Sequence, residues 1–407
     1  MWKPLSVFAL FAFLMSFAFA QDCEDALGCV EVAEGDPIVL GYMLTTSGAT
    51  SFLGEDSVGG IELAILARDS ELLGFEIELV GEDSLCSAEG GQAAAQRVAA
   101  DETIVGVVGT NCSSAAAAAL PIISEAGLVL ISPSNTAPIL TSDDTESGGI
   151  WQPGYYRTAH NDLFQGKVAA EFAYHQLGAR SVATVHDGSP YADGLQAVMA
   201  EEFAKLGGTI TMQGAVNVGD TDMTPILTEI ASDAPDVIYA PVFQPESDFM
   251  WAQKGNISGL ENTTLMGADA SLVDGFPEAA GISAIGSYLS GPYVENEAYD
   301  NLLAAWESEI GGVPPSGFHA HAYDATNMLL DAVESVAMAT EDGGLLIGRQ
   351  AVRDALSSLE GYAGVIGTIS CNATGDCATG EALAVFEITE EEVNGNWPAP
   401  VAWKPGN

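Results

Sequence analysis

Short apolar segments alternate with longer amphipathic segments along most of the chain, and this alternation constrains its fold more than any other feature. The apolar runs include "PIVLGYML", "IVGVVGT", "SVATVHD" and "DVIYAPV". Segments of helical length are expected over 57–73, 88–100, 113–126, 162–177, 191–206, 223–232 and 246–255. Short buried strands that are followed by helices predict parallel β-sheets covered on both faces. Two such series, separated by "GYYRTAH", predict two α/β lobes.

Residues 1–20 have the pattern of an export signal, with one cation, an apolar stretch and the small-residue ending "AFA". We expect cleavage after Ala20 and a periplasmic or other extracytoplasmic location. A membrane anchor is disfavoured because the apolar stretch is shorter than the ~20 residues of a spanning helix. Lipid attachment at Cys23 is disfavoured because Asp22, which is not a small residue, precedes it. A membrane tether stays an open alternative.

Length and charge narrow the class of protein further. At ~150 residues per domain, the chain is long enough for two or three lobes. It carries 11 Lys and Arg against 57 Asp and Glu, a formal net charge of −46. Such a surface repels nucleic acids and anionic membranes, so no nucleic-acid partner is expected.

Six cysteines in an exported chain indicate disulfides. By their positions the cysteines form three pairs, and three such pairs are one of the fifteen possible sets of disulfide bonds among six cysteines. The pairs are Cys23/Cys29, Cys86/Cys112 and Cys371/Cys377. For Cys112 the alternative is a nucleophile, since a cysteine that enters a helix N-terminus has a lowered pKa.

In open parallel sheets a ligand lies beyond the carboxyl ends of the strands. The segment "VVGTNCSS" leaves a strand and enters a helix, so the amides of Ser113 and Ser114 are expected to be free donors that suit an anion. The next strand ends in "SPSNT", which adds hydroxyl groups. The alternative for Ser113 is a simple helix cap.

Five motifs in order resemble the branched-chain amino-acid receptors of ABC transporters, which are type I periplasmic binding proteins. The motifs are the strand-Cys-Ser-Ser-helix segment, "LISPSNTAP", "HDGSPYADGL", "LMGADAS" and "PPSGFHAHAYDA", and the resemblance covers about 36–390. It implies an α/β fold of two Rossmann-like lobes, with parallel sheets, joined by three hinge crossovers and closing on a ligand. It also implies an amino-acid ligand and an ABC permease as the membrane partner. It divides the chain into an N-terminal extension over 21–35, a first lobe over 36–157 and 292–380, and a second lobe over 158–291 and 381–407.

The resemblance also assigns polar ligand-binding residues. Ser113 corresponds to the serine that holds the ligand carboxylate, and Thr136 to the threonine beside it. Ser134 and Asn135 stand where the family presents small residues, so Asn135 is a departure. Asp269 corresponds to the carboxylate that pairs with the ligand ammonium, although it is one methylene shorter than the glutamate of the family. Its alternative role is to cap the next helix.

The remaining pocket residues are apolar or aromatic by the same resemblance. Tyr191 corresponds to an aromatic residue that flanks the ligand, and Phe243 and Phe318 stand where the family carries tyrosines. Leu53 is expected to form the remaining part of the pocket wall. Phenylalanine at these two positions lacks the hydroxyl group of the family's tyrosines. The pocket then has fewer polar partners, which favours an uncharged ligand side chain because an unpaired buried charge is costly. The family also has a disulfide at the positions of Cys86 and Cys112.

The sequence favours binding over catalysis. It lacks the G-x-x-x-x-G-K-[ST], G-x-S-x-G and H-E-x-x-H motifs, and we expect no cofactor and no metal. His319 and His321 are two residues apart and therefore face different sides of a helix. His186 is the histidine expected nearest the cleft, with a surface role as the favoured alternative. Two other functions stay open, namely a receptor for urea, amides or aromatic acids, and a ligand sensor.

Overall fold

The computed structural model describes residues 23–377 and 383–406, so the expected export signal over 1–20 lies outside the described residues. The strands are β1 Cys29–Val32, β2 Ile38–Leu44, β3 Glu71–Leu72, β4 Phe75–Asp83, β5 Ile104–Gly109, β6 Leu130–Ser132, β7 Tyr155–Arg157, β8 Ser181–His186, β9 Thr209–Ala215, β10 Val237–Tyr239, β11 Thr264–Gly267, β12 Ser287–Pro292, β13 Met338–Ala339, β14 Leu345–Gly348, β15 Tyr362–Gly364, β16 Gly367–Ile369, β17 Leu383–Ile388 and β18 Val401–Trp403. The helices are α1 Phe52–Leu66, α2 Ala88–Ala100, α3 Ser113–Glu125, α4 Asp162–Glu171, α5 Pro190–Lys205, α6 Thr224–Ala231, α7 Glu246–Lys254, α8 Gly275–Ala280, α9 Glu297–Glu309, α10 His319–Val336, α11 Arg349–Ser357 and α12 Glu390–Val393.

Two large sheets form the centres of two lobes. The first sheet has the strand order β3-β4-β2-β5-β6-β7, and the second has the order β18-β17-β12-β11-β10-β8-β9. In the first sheet β4, β2, β5, β6 and β7 are parallel to one another, and in the second β12, β11, β10, β8 and β9 are parallel to one another. Antiparallel strands stand at the edges, with β3 in the first sheet and β17 and β18 in the second. The sequence predicted the parallel centres but not these edge strands.

The helix expected over 57–73 was misplaced, because α1 begins at Phe52 and ends at Leu66. The chain then enters left-handed backbone at Asp69 and Ser70, with φ of 56° and 59°. Leu73 and Gly74 have φ of 55° and 83° and join β3 to β4 in a two-residue turn. Positive φ at both central positions is typical of a hairpin turn, which makes β3 antiparallel to β4.

Each sheet is buried between helices. One face of the first sheet packs with side chains of α1 and α10, such as Ile61 and Leu329. Its other face packs with side chains of α2 and α3, such as Val98 and Leu120. The second sheet lies in one continuous core that includes Trp251, which is fully buried. These cores hold the carboxyl ends of both sets of parallel strands in fixed positions.

The chain passes between the lobes three times: between β7 and α4, between β12 and α9, and between Cys377 and β17. The residue boundaries that the sequence predicts for the N-terminal extension and the two lobes stay a proposal. The six cysteines form the disulfides Cys23–Cys29, Cys86–Cys112 and Cys371–Cys377, so Cys112 is not a free nucleophile. Across the described ranges, no helix is both long enough and apolar enough to span a bilayer.

Candidate functional site

A small cavity lies between the lobes, beyond the carboxyl ends of the parallel strands. Its free volume is about 10 Å³, which is close to the space that one water molecule needs. The first lobe and the loop before α10 contribute Leu53, Asn111, Ser113, Ser134 and Phe318. The second lobe contributes Tyr191, Phe243, Asp269 and Ala270. The structure therefore brings seven of the nine expected ligand-binding residues to one cavity and leaves Asn135 and Thr136 outside its lining.

Ser113 is the first residue of α3, and Cys112 is the capping residue. The Ser113 hydroxyl is buried and accepts a hydrogen bond from the Ala137 amide at 3.3 Å, so it does not cap its own helix. The amides of Ser113 and Ser114 occupy the first turn, where a helix has no internal partner for its N–H groups. The end of α3 therefore presents donors and a partial positive charge to the cavity.

The segment after β6 divides its side chains between the cavity and the lobe interior. Ser134 faces the cavity, and its Oγ donates to the Asn111 carbonyl at 3.2 Å. The Asn135 side chain turns inward, where its Oδ1 accepts from Thr110 Oγ1 at 3.1 Å and Tyr155 Oη at 3.3 Å. Asn135 therefore does not narrow the cavity with its side chain. Thr136 is buried, and its Oγ1 has no hydrogen-bond partner in the described chain.

Asp269 follows β11 and begins a short helical turn, Asp269–Ser271, which its side chain does not cap. Its Oδ1 accepts hydrogen bonds from Gln165 Nε2 at 2.7 Å and from Tyr191 Oη at 2.9 Å. Burial raises the pKa of Asp269, while the neighbouring His160 and these two hydrogen bonds oppose the rise. Because both bonds end on Oδ1, Oδ2 has no side-chain partner in the described residues.

Aromatic rings and Leu53 form the apolar part of the cavity wall. The rings of Tyr191 and Phe243 are tilted against each other, with centroids 5.1 Å apart. Phe318 precedes α10 and is almost fully buried, as is Leu53 near the start of α1. A ligand group placed between these residues would contact carbon atoms on most sides, which favours an apolar group.

The first crossover supplies residues that the sequence reasoning missed. His160, not His186, lies beside the cleft, where it contacts Gln165 and stacks on Phe318 at 6.3 Å. His186 has the surface role that the sequence favoured for it, since its Nδ1 accepts the Gly188 amide at 3.1 Å on the partly exposed end of β8. The useful signal was "RTAHNDLFQG", a run of polar residues directly after a buried strand.

In residues 23–377 and 383–406, no group of three or more His, Cys, Asp and Glu side chains is placed to hold a metal ion. The cavity instead opposes hydroxyl groups and a helix N-terminus on the first lobe to a carboxylate on the second. This geometry suits a small molecule that carries both polar and apolar groups.

The chain belongs to the periplasmic binding protein family, whose family model matches residues 37–392. A Leu/Ile/Val-binding protein of Rhizobium johnstonii, BraC3, is 25% identical over 364 residues, which cover 89% of this chain and 94% of that protein. The Leu/Ile/Val-binding protein homolog 3 of Brucella melitensis is 25% identical over 386 residues, which cover 94% and 98%. The sequence interpretation as a periplasmic binding protein that resembles the branched-chain amino-acid receptors is confirmed.

Solved structures show the same fold. The leucine binding protein LivK of Thermotoga maritima superimposes with a TM-score of 0.78 at 24% identity, covering 90% of this chain and 99% of that one. LivJ of Streptococcus pneumoniae, in complex with isoleucine, gives 0.75 at 24% identity with the same coverage. A solute binding protein of R. palustris, in complex with benzoate, gives 0.73 at 20% identity, covering 90% and 95%. These likenesses show that the chain has the two-lobed fold of these binding proteins.

Proposed function

We propose that the protein is the exported substrate-binding component of an ABC importer and captures an amino acid with an apolar side chain between its lobes. The observation that carries the proposal is the opposition of Ser113 and Ser134 to Asp269 across one cavity with aromatic walls. In this arrangement the first lobe recognises an anion and the second lobe recognises a cation, as a zwitterionic amino acid requires.

Each end of the ligand has a physical match. The ligand carboxylate would accept hydrogen bonds from the Ser113 hydroxyl and from free amides of α3, where the helix dipole favours an anion. The ammonium would donate to Asp269, whose Oδ2 is available. Thr136, which lies buried behind the cavity, would reach the ligand after a small change in the loop. Tyr191, Phe243, Phe318 and Leu53 would enclose the side chain.

The small volume explains why binding is coupled to lobe movement. A cavity of about 10 Å³ cannot hold an amino acid, so the lobes must separate to admit one and then close around it. A ligand that contacts both lobes stabilises the closed state by its contacts across the cleft. The closed state would be the form that an ABC permease recognises.

Calorimetric titration with the twenty amino acids, urea, acetamide and benzoate tests the proposal. We expect binding to be confined to amino acids with aliphatic or aromatic side chains. Asp269→Asn keeps the acceptor for Gln165 and Tyr191 but removes the charge. A hydrogen bond to a charged group contributes about 1.5–3 kcal/mol, so the affinity should fall about 10- to 150-fold.

The matched control is Asp233→Asn, which removes one charge from an exposed position of the second lobe. It should leave the affinity unchanged. Equal affinities of the Asp269→Asn variant and the unaltered protein would contradict the ammonium assignment. Binding of amino acids with charged side chains in preference to apolar ones would contradict the role of the aromatic wall.

A second candidate ligand is an acid without an amine, such as benzoate. The observation in its favour is the burial of Asp269, which raises its pKa and favours a neutral carboxyl that can donate a hydrogen bond. The same titration separates the candidates. Binding of benzoate without any amino acid would retain the roles of Ser113 and the aromatic rings and reject Asp269 as the acceptor of an ammonium.

A further inference from the structure

Asp162 is a buried carboxylate outside the cavity lining, within electrostatic reach of Asp269, and the proposed ligand contacts do not use it. It is the first residue of α4, and its amide donates to the Thr136 carbonyl at 3.0 Å. Residues three apart on a helix share a face, so Asp162 lies on the same face as Gln165. Gln165 in turn contacts Asp269. Asp162 therefore stands between the proposed carboxylate site and the proposed ammonium site.

The atoms around Asp162 form a group of acceptors with few donors. Asp162 is fully buried, and neither of its carboxylate oxygens makes a hydrogen bond of regular geometry with any described residue. The Thr136 hydroxyl is near enough to favour the charged carboxylate, but it also makes no regular hydrogen bond. His160 Nδ1, in the same crossover, is a further buried atom without a partner in the described chain.

The hydrogen-bond network fixes which atoms accept. Gln165 Nε2 donates to Asp269 and to the Ser290 carbonyl, so Gln165 Oε1 must accept the hydrogen that His160 Nε2 carries. The neutral His160 ring then presents Nδ1 as a bare acceptor. Carboxylate oxygens and this nitrogen are suitable partners for a primary ammonium, which has three N–H donors and a positive charge.

We propose that Asp162 and Asp269 share one proton when the cleft holds no ligand, and that binding of a ligand ammonium releases this proton to solvent. The inference rests on the proposed function, because it takes the ligand to be an amino acid. Two carboxylates in one buried site resist simultaneous ionisation, and a cation between them removes that resistance. The ammonium keeps its own protons, and the O–H bond of the shared carboxyl breaks. Asp162 is then a second ammonium-binding residue.

The surrounding charges support a single retained proton. Burial and then the charge of Asp269 raise the pKa of Asp162, while Arg157 opposes the rise. Burial likewise raises the pKa of Asp269 and lowers that of His160, which favours a neutral ring. The titratable and charged groups that face Asp162 are Arg157 at the end of β7, Tyr191 in α5, Tyr239 in β10 and Asp269 after β11. Asp376 neutralises Arg157 through an ion pair.

The proposal fixes the direction of the pH dependence. The ligand-free cleft holds one proton more than the complex, so a rise in pH favours the complex. The affinity should increase by about tenfold per pH unit until the pair has lost its proton in the ligand-free protein. Ligand would correspondingly be released more readily in acid.

Calorimetry with L-leucine at pH 6, in phosphate and in Bis-Tris, measures the protons released on binding from the difference in buffer ionisation heat. We expect about one proton per leucine for the unaltered protein. The isosteric Asp162→Asn variant should release close to none, because Asp269 alone has no carboxylate partner. Its affinity should change little between pH 6 and pH 8. The exposed variant Asp233→Asn should behave like the unaltered protein.

Tight leucine binding without proton release, or equal release by the Asp162→Asn variant, would overturn the inference and leave the proposed function intact. Failure of every amino acid to bind would instead reject the proposed function. In that case, ¹³C NMR of the aspartate carboxyl groups in the ligand-free protein decides whether the pair exists. A carboxyl of this pair that still carries a proton at pH 6 supports it, and ordinary titration of both groups near pH 4 overturns it.

Discussion

Arg157 is the most completely satisfied charged side chain near the hinge, and its replacement gives a sharp test of what holds the crossovers together. It ends β7 and is fully buried. Its Nε and Nη2 bond to the Asp376 carboxylate at 2.8 and 3.0 Å. Its other N–H groups donate to the carbonyls of Asn135 and Ala137 and to the Thr141 hydroxyl. All five guanidinium donors are therefore used.

The magnitude follows from what Arg157→Met would leave behind. Asp376, whose side chain is 14% exposed, would stay at the third crossover without its cation, and two carbonyl groups would lose donors. Removal of one partner of a buried ion pair destabilises a protein by about 3–5 kcal/mol. Replacement of both partners removes the uncompensated charge, so Arg157→Met with Asp376→Leu should be less destabilised than the sum of the single variants.

Urea unfolding followed by circular dichroism measures these free energies. The control is Arg97→Met, which breaks the exposed ion pair with Glu82. Exposed pairs contribute about 0–1 kcal/mol, so the control should lie close to the unaltered protein. If Arg157→Met destabilised the protein no more than Arg97→Met does, the buried pair would not hold the hinge and the reasoning would be refuted.

The ion pair of Arg157 and Asp376 also makes the free energy of unfolding depend on pH. Burial would raise the pKa of Asp376, but Arg157 and hydrogen bonds from Asn161 and Thr141 lower it below the ordinary value. The folded state therefore holds the carboxylate ionised where the unfolded state takes up a proton. Its stabilising contribution is present at neutral pH and is lost as the pH falls below about 4. The difference between Arg157→Met and the unaltered protein should be smaller at pH 3 than at pH 7.

Two further predictions concern packing and covalent links in the first lobe. A Cβ added at Gly54 would lie 1.9 Å from the Thr45 carbonyl oxygen, so Gly54→Ala should displace the start of α1 and weaken ligand binding in calorimetry. Gly275→Ala meets nothing within 4 Å and should retain full affinity. Replacement of Cys86 and Cys112 by serine opens a link of sequence separation 26 and should lower the unfolding free energy by about 3 kcal/mol in urea titrations.

The alternation of apolar and amphipathic segments was enough to predict the parallel centres of both sheets. It worked because strands such as β5 are buried on both faces, so every residue in them is small or apolar. It failed where local backbone conformation decides the structure. Residues 67–73 contain enough apolar and polar alternation for a helix, but Asp69 and Ser70 adopt left-handed backbone and lead into a hairpin. The spacing of apolar residues does not indicate whether Asp69 and Ser70 continue a helix or adopt left-handed backbone.

The candidate site was predictable where it lies at strand ends and hidden where it lies in a crossover. Ser113, Ser134 and Asp269 directly follow β5, β6 and β11, and the carboxyl ends of parallel strands meet at one edge of a sheet. His160 and Asp162 belong to the segment that leaves one lobe for the other. The direction of their side chains depends on how the two lobes pack, which is a long-range property that one sequence does not reveal.

Arg157 also shows how the hinge and the cleft depend on each other. The chain has only 11 Lys and Arg residues for 57 acids, yet one of its cations is wholly buried. Its hydrogen bonds to the carbonyls of Asn135 and Ala137 hold the backbone on both sides of Thr136. Burial and the charge of Asp269 raise the pKa of Asp162, and the charge of Arg157 opposes this rise. The Arg157 side chain therefore positions the loop that carries Thr136 and limits the pKa of Asp162. A substitution of Arg157 should for this reason alter ligand binding as well as stability.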